Sequence, residues 1–246
     1  WFTRFLSDQG YETVALDLVA SPAENARAND ALRSADLVLC ATPPAATADL
    51  YAVWTTDPPP GIVVDIASIK TPLLEGIRRL QAAGGRVASI HPLFGPSVVL
   101  LRDCDVVICD TGDADAAEAV TQLFASTTAR IVSMPLDEHD RQMADVLTLA
   151  HATAIAFALA LPADAVPLRS TTLGALQSLA SNVVRESPDV YYEIQALNPH
   201  SAESLARLAA AVAKVRTAVS SFDAEAFHAL MADGRERTAV RSGPAP

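Results

Sequence analysis

Two short segments of this chain concentrate side chains that can move a proton or hold a polar ligand. Asp65-Ile-Ala-Ser-Ile-Lys70 leaves an apolar run and enters a helix at Thr71-Pro72. Ser68 and Lys70 therefore stand where the carboxyl end of a strand meets a helix N-terminus, a place suited to polar ligands. Ser89-Ile-His-Pro-Leu-Phe-Gly-Pro96 also follows an apolar run directly. Proline fixes the local backbone, so His91 is displayed rigidly. A neutral imidazole is well matched to accept a proton near pH 7. A third polar cluster, Glu138-His-Asp-Arg-Gln-Met143, precedes His151 on one predicted helix. Its acids suit a helix N-terminus, so Glu138, His139 and Asp140 are read as starting and capping that helix.

The elements that must position these residues fall into two groups. Residues 1–10 read as a helix with Phe2, Phe5 and Leu6 on one face and Gly10 as its stop. Apolar runs follow at 13–17, 35–43, 61–65, 87–90 and 105–109, with helix-like stretches at 49–54, 71–83 and 114–127. Continuous apolar runs alternating with helices predict a doubly wound α/β domain with a parallel sheet. After Pro135 only helices are expected, at 138–161, 172–186, 188–196, 201–222 and 224–237, punctuated by Pro162, Pro167, Pro188 and Pro199. The expected layout is a Rossmann-like dinucleotide-binding domain over 1–135 and an all-α domain over 136–246.

In such a sheet, ligands bind at the carboxyl ends of the strands. Asp17 ends the first run, where a carboxylate accepts hydrogen bonds from ribose hydroxyls and favours NAD over NADP. Thr42 and Pro43 hold the equivalent place after the second run. No GxGxxG turn occurs, and the chain opens with Trp1 inside what reads as the first helix, so the glycine loop is expected upstream. The formal net charge of −11 argues against nucleic acid, which needs a basic face. Half of the residues are hydrophobic and 19% charged, enough for a substantial core. No uninterrupted apolar stretch approaches the roughly 20 residues of a membrane span, and Ala150–Leu161 is read as a core helix. Three cysteines without a CxxC arrangement point to a reducing, cytoplasmic setting, and no metal site is expected.

Asp65–Lys70, the His91-Pro-Leu-Phe-Gly-Pro96 loop and Glu138–Met143 followed by His151 occur in an order and spacing that resemble the prephenate dehydrogenase family, in the branch of the bacterial bifunctional chorismate mutase–prephenate dehydrogenases. The resemblance implies NAD-dependent oxidative decarboxylation of prephenate to 4-hydroxyphenylpyruvate, as in tyrosine biosynthesis, by a homodimer joined through the helical domain. It implies that His91 is the catalytic histidine and that Ser68 works beside the substrate hydroxyl and the nicotinamide. It places His151 and Tyr191 at the substrate, with core packing as the alternative for Tyr191; Lys70 is counted with them for its place at the strand end. One departure stands out: Asn182 falls where relatives carry an arginine for the ring carboxylate, with Arg185 one turn on and Arg169 nearby as substitutes. A neutral amide replaces a bidentate charged pair there. An arogenate or amino-substituted substrate, a silent ligand-binding relative and a 3-hydroxyacid dehydrogenase therefore remain as alternatives. The last expects a helix-borne lysine that neither Lys70 nor Lys214 supplies.

Overall fold

The computed structural model describes residues 1–17, 22–162, 168 and 170–239. Helix α1 (Phe2–Asp8) ends as expected, with Gly10 at a φ of 90°. Helix α2 (Pro22–Leu32) lies where the sequence showed no clear periodicity. A five-stranded sheet follows in the order β1-β2-β3-β4-β5: β1 (Leu37–Cys40), β2 (Ile62–Asp65), β3 (Arg86–Pro92), β4 (Asp105–Asp110) and β5 (Arg130–Pro135). Helices α3 (Pro44–Trp54) and α4 (Leu74–Ala82) are the crossovers between parallel β1, β2 and β3, and α5 (Ala114–Gln122) links parallel β4 and β5.

Three differences from the sequence reading have physical causes. Residues 13–17 do not form a strand among the described residues. Val14 and Leu16 are half exposed and β1 is a sheet edge, so no described strand pairs with this segment. Strand β4 runs antiparallel to β3, with His91 opposite Val107. Residues 93–104 contain no helix, and a chain that returns without a crossover element comes back antiparallel. Strand β5 is not announced by an apolar run: along Arg130–Pro135 exposed and half-buried residues are mixed and none is fully buried.

Cores lie on both faces of the sheet. One gathers Leu6, Val64, Ile90, Val106 and Phe124 beneath α1 and α5; the other gathers Tyr51, Val63, Leu73, Ile77 and Val87 beneath α3 and α4. Gly61 lets β2 start against the residues that lead into β1, since a Cβ there would meet the Ala35 carbonyl at 2.2 Å. The aromatic side chains of α1 also hold the loop after His91. Trp1 Nε1 donates to the Val98 carbonyl at 2.8 Å, and its ring lies 5.0 Å from that of Phe94.

The second half is all helical. Helix α6 (Leu136–Met143), a π-helical segment (Ala144–Leu149) and α7 (Ala150–Ala160) form one rod, followed by α8 (Thr171–Arg185), α9 (Pro188–Ala196), α10 (Ser201–Ser220) and α11 (Ala224–Thr238). Ile69, Met143 and Ile194 close the contact between the halves. The rod spans 25 residues and its most apolar window has a mean hydropathy of 1.6, so by length and composition it could cross a bilayer. Its first turns, however, bury Asp140 in hydrogen bonds to the sheet half. The expectation that Ala150–Leu161 is a core helix fails: only Ala154 of α7 is buried and Leu159 is 81% exposed. The tail beyond residue 239 and Arg169 lie outside the described residues.

Candidate active site

The register Cys40–Asp65–Ser89 aligns the carboxyl ends of β1, β2 and β3. Three candidate groups therefore emerge at one end of the sheet: Thr42-Pro43 after β1, Ser68 after β2 and His91 at the end of β3. Thr42 Oγ1 shares a 2.8 Å hydrogen bond with Thr47 Oγ1 where α3 begins with consecutive prolines at 43 and 44. Ser68 is half buried, and its hydroxyl has no protein partner among the described residues. Asp17 is exposed.

His91 is 4% exposed. Its Nδ1 lies 2.9 Å from His139 Nε2, and His139 Nδ1 lies 2.8 Å from Asp140 Oδ1. Asp140 also accepts hydrogen bonds from the amides of Lys70 (2.8 Å) and Thr71 (2.7 Å) and from the Thr71 hydroxyl (2.6 Å). Burial favours its neutral form, but these donors together hold the carboxyl below its ordinary value. An ionised Asp140 accepts only, so His139 must donate from Nδ1 and accept at Nε2. His91 then donates from Nδ1, and its lone pair sits on Nε2, which has no described protein partner and is not sealed from solvent. Burial, then the Lys70 ammonium and His139, hold the His91 imidazole well below the ordinary histidine value. His139 is lowered as well, with burial outweighing the help of Asp140. The outcome is a neutral, oriented base.

The reading of His139 and Asp140 as capping residues is thereby corrected. Pro135 is the N-cap of α6, Asp137 and Glu138 occupy its first turn, and His139 and Asp140 are buried behind His91. A His-Asp pair one turn inside a polar helix start was the available signal, since charges on a capping turn have no need to be consecutive with a histidine.

Lys70 is also corrected as a substrate-binding residue. It is fully buried, its Nζ donating to Asp65 Oδ1 at 2.6 Å and to the Ile90 carbonyl at 2.7 Å. The Tyr51 hydroxyl and the Ala67 amide complete the surroundings of Asp65. Lys70 thus braces the residue preceding His91 from inside the protein, and nothing of it is presented to a ligand.

In the helical half, the His151 and Tyr191 rings meet with centroids 4.4 Å apart. His151 Nδ1 is buried without a hydrogen-bond partner, and burial lowers the basicity of the ring. Asn182 and Arg185 are exposed on α8, where they line an open groove of about 540 Å³ with Ser170, Gly174 and Ser178. Among the described residues that groove is lined by residues 170–185, and neither His91 nor Ser68 takes part in it.

Comparison with known proteins agrees with this division of the chain. Residues 8–133 match the nucleotide-binding domain of prephenate dehydrogenase, and residues 135–233 match its dimerization domain. A 4-amino-4-deoxyprephenate dehydrogenase from Streptomyces pristinaespiralis is 30% identical over 83% of this chain and 71% of its own length. The T-protein of Enterobacter agglomerans is 29% identical over 75% of this chain, which spans about half of that relative (46%). Among solved structures, prephenate dehydrogenase from Aquifex aeolicus, in complex with hydroxyphenyl propionate and NAD+, superposes with a TM-score of 0.71 at 16% identity, covering 96% of this chain and 92% of the other. With both of its halves matched in order, the chain belongs to the prephenate dehydrogenase family.

Proposed function

We propose that this protein catalyses the NAD-dependent oxidative decarboxylation of prephenate or a close analogue, with His91 as the proton acceptor. The carrying observation is the His91–His139–Asp140 chain, which leaves a neutral lone pair on His91 Nε2 at the carboxyl edge of the sheet. The residues at that edge fit the nicotinamide end of the cofactor: Ser68 has a half-buried hydroxyl with no partner among the described residues, and Thr42-Pro43 opens α3 after the neighbouring strand. Asp17 stands for the ribose. The glycine turn that would cradle the pyrophosphate is not in this sequence. Bound NAD supplies the hydride acceptor.

His91 Nε2 draws the proton from the ring hydroxyl as the hydride leaves the same carbon. The ring carboxylate then departs as carbon dioxide, its bonding pair entering the ring, which becomes aromatic. The proton taken by His91 is stabilised through His139 towards Asp140. Ser68 orients the hydroxyl. His151 and Tyr191 line the ring from the helical half, and His151 Nδ1 is a hydrogen-bonding atom held for the substrate. The protein's contribution is alignment and proton transfer, since aromatisation drives the reaction.

Mixing the protein with prephenate and NAD and following NADH tests this reading. His91→Asn is expected to lose turnover by about 10²–10⁴-fold, the usual worth of a general base, while His200→Asn retains it. Turnover equal in His91→Asn and wild type would end the proposal.

A second substrate has specific support. Asn182 replaces the expected arginine, and the Streptomyces relative is named for 4-amino-4-deoxyprephenate. His91 Nε2 would accept a proton from an amine as it does from a hydroxyl, so the comparison of kcat/KM for the two rings decides between them. The helical half is proposed to join two copies into a homodimer. The three cysteines are free, as suits a reducing, cytoplasmic setting.

A further inference from the structure

The rod from Leu136 to Ala160 carries His139 near its start and His151 twelve positions later. On an unbroken α-helix, at about 100° per residue, those twelve steps would leave the two side chains about 120° apart. The segment Ala144–Leu149 is π-helical, and a π-turn takes up one residue more than an α-turn, about 100° of rotation. That removes nearly the whole difference and returns His151 to within about 20° of the face that carries His139.

A π-turn is uncommon and needs support from outside the helix. Here the support comes from α10. Thr148 and Ser201 are both buried, and their hydroxyls share a 2.9 Å hydrogen bond. Beside them Asp145 accepts from Ser204 Oγ at 2.8 Å and pairs with Arg207. His151 lies in the first turn of the α-helix that follows, with its ring on Tyr191 and its Nδ1 buried and unpartnered.

We infer that the Thr148–Ser201 hydrogen bond is a positioning device that holds the π-turn and thereby sets the rotation of His151 towards the ring substrate. Thr148 and Ser201 are positioning residues: they act through His151, which rests on the functional reading above for its role at the substrate. If the bond is lost, the segment is free to relax to α-helix, and His151 swings off Tyr191.

The test compares Thr148→Val, which keeps the shape and removes the hydroxyl, with Thr148→Ser, which keeps the hydroxyl. In Thr148→Val and Ser201→Ala, KM for prephenate is expected to rise on the order of tenfold, with KM for NAD unchanged and kcat little affected. Thr148→Ser is expected to restore the wild-type KM. Independently of turnover, NMR cross-peaks between the ring protons of His151 and Tyr191 are expected in wild type and Thr148→Ser and lost in Thr148→Val. Wild-type KM with intact cross-peaks in Thr148→Val overturns the inference. So does a wild-type protein without those cross-peaks, a result available even where a variant does not fold. If prephenate is not turned over at all, the functional reading falls and the cross-peaks alone decide the register.

Discussion

His91 acts as a base only while neutral, so the direction of its shift predicts how activity responds to acid. Burial, Lys70 and His139 all lower it. The acid limb of kcat/KM is therefore expected below the ordinary histidine range, with activity retained as pH falls through about 6.5. The charged and titratable groups around the ring are Lys70 and Asp65 from the sheet half and His139 and Asp140 from α6, and only the first adds positive charge at neutral pH. Removing Lys70 alone would strand Asp65 in the core, at about 3–5 kcal/mol. The informative variant is Asp65→Asn with Lys70→Met, in which the acid limb is expected to move towards neutrality. A limb that stays in place would show that burial and His139 set the base without Lys70. At this scale the sequence was legible where proline and glycine fix a backbone, as around His91. It was misleading for Lys70 because a lysine at a strand end reads as a ligand group, and only packing reveals that the side chain turns inward to the Ile90 carbonyl.

Helix α6 does more than connect the two halves, and its first turns explain why the site was only partly readable. Asp140 collects the amides of Lys70 and Thr71 and the Thr71 hydroxyl, and its own carbonyl accepts from Asn198 Nδ2 at 2.7 Å. One residue thus ties the end of the sheet to α6 and to the approach to α10. Asp140→Ala would leave the buried Lys70 amide without an acceptor, at a cost of about 1–3 kcal/mol, while the more exposed Thr71 donors could turn to water. A lowered Tm and a weakened His91 are both expected, because His139 loses the partner that fixes its tautomer. Calorimetry showing an unchanged Tm would remove this hinge from the account. Helix periodicity, capping residues and prolines placed every helix of the second half to within a few residues. They carry no information about which polar face meets another domain, which is a property of long-range contact. The same holds for β4, whose apolar run announced a strand but whose direction depended on the connection before it.

Across the whole molecule, the apolar surface is distributed unevenly. Helix α11 buries no residue, α7 buries only Ala154, and Leu159, Leu179, Val184, Val219, Phe222 and Met231 are half exposed or more. These exposed apolar side chains suit the homodimer proposed above, and they lie within the residues that match a dimerization domain. The groove on α8 gains its meaning at the same scale. Among the described residues Asn182 and Arg185 line it with α8 and Ser170 alone, so an apposed copy would convert an open face into a pocket. Leu179→Glu with Val184→Glu places two charges on the α8 surface without touching the buried Ala180 and Val183 beside them. Each charge in a desolvated interface carries a penalty of several kcal/mol, enough to shift the variant to monomer at micromolar concentration. Light scattering would read the change in mass. Turnover is expected to fall with it while the His91–His139 hydrogen bond, internal to one chain, survives. A variant that becomes monomeric with full activity would show that each copy holds a complete site, and that Asn182 and Arg185 take no part in it.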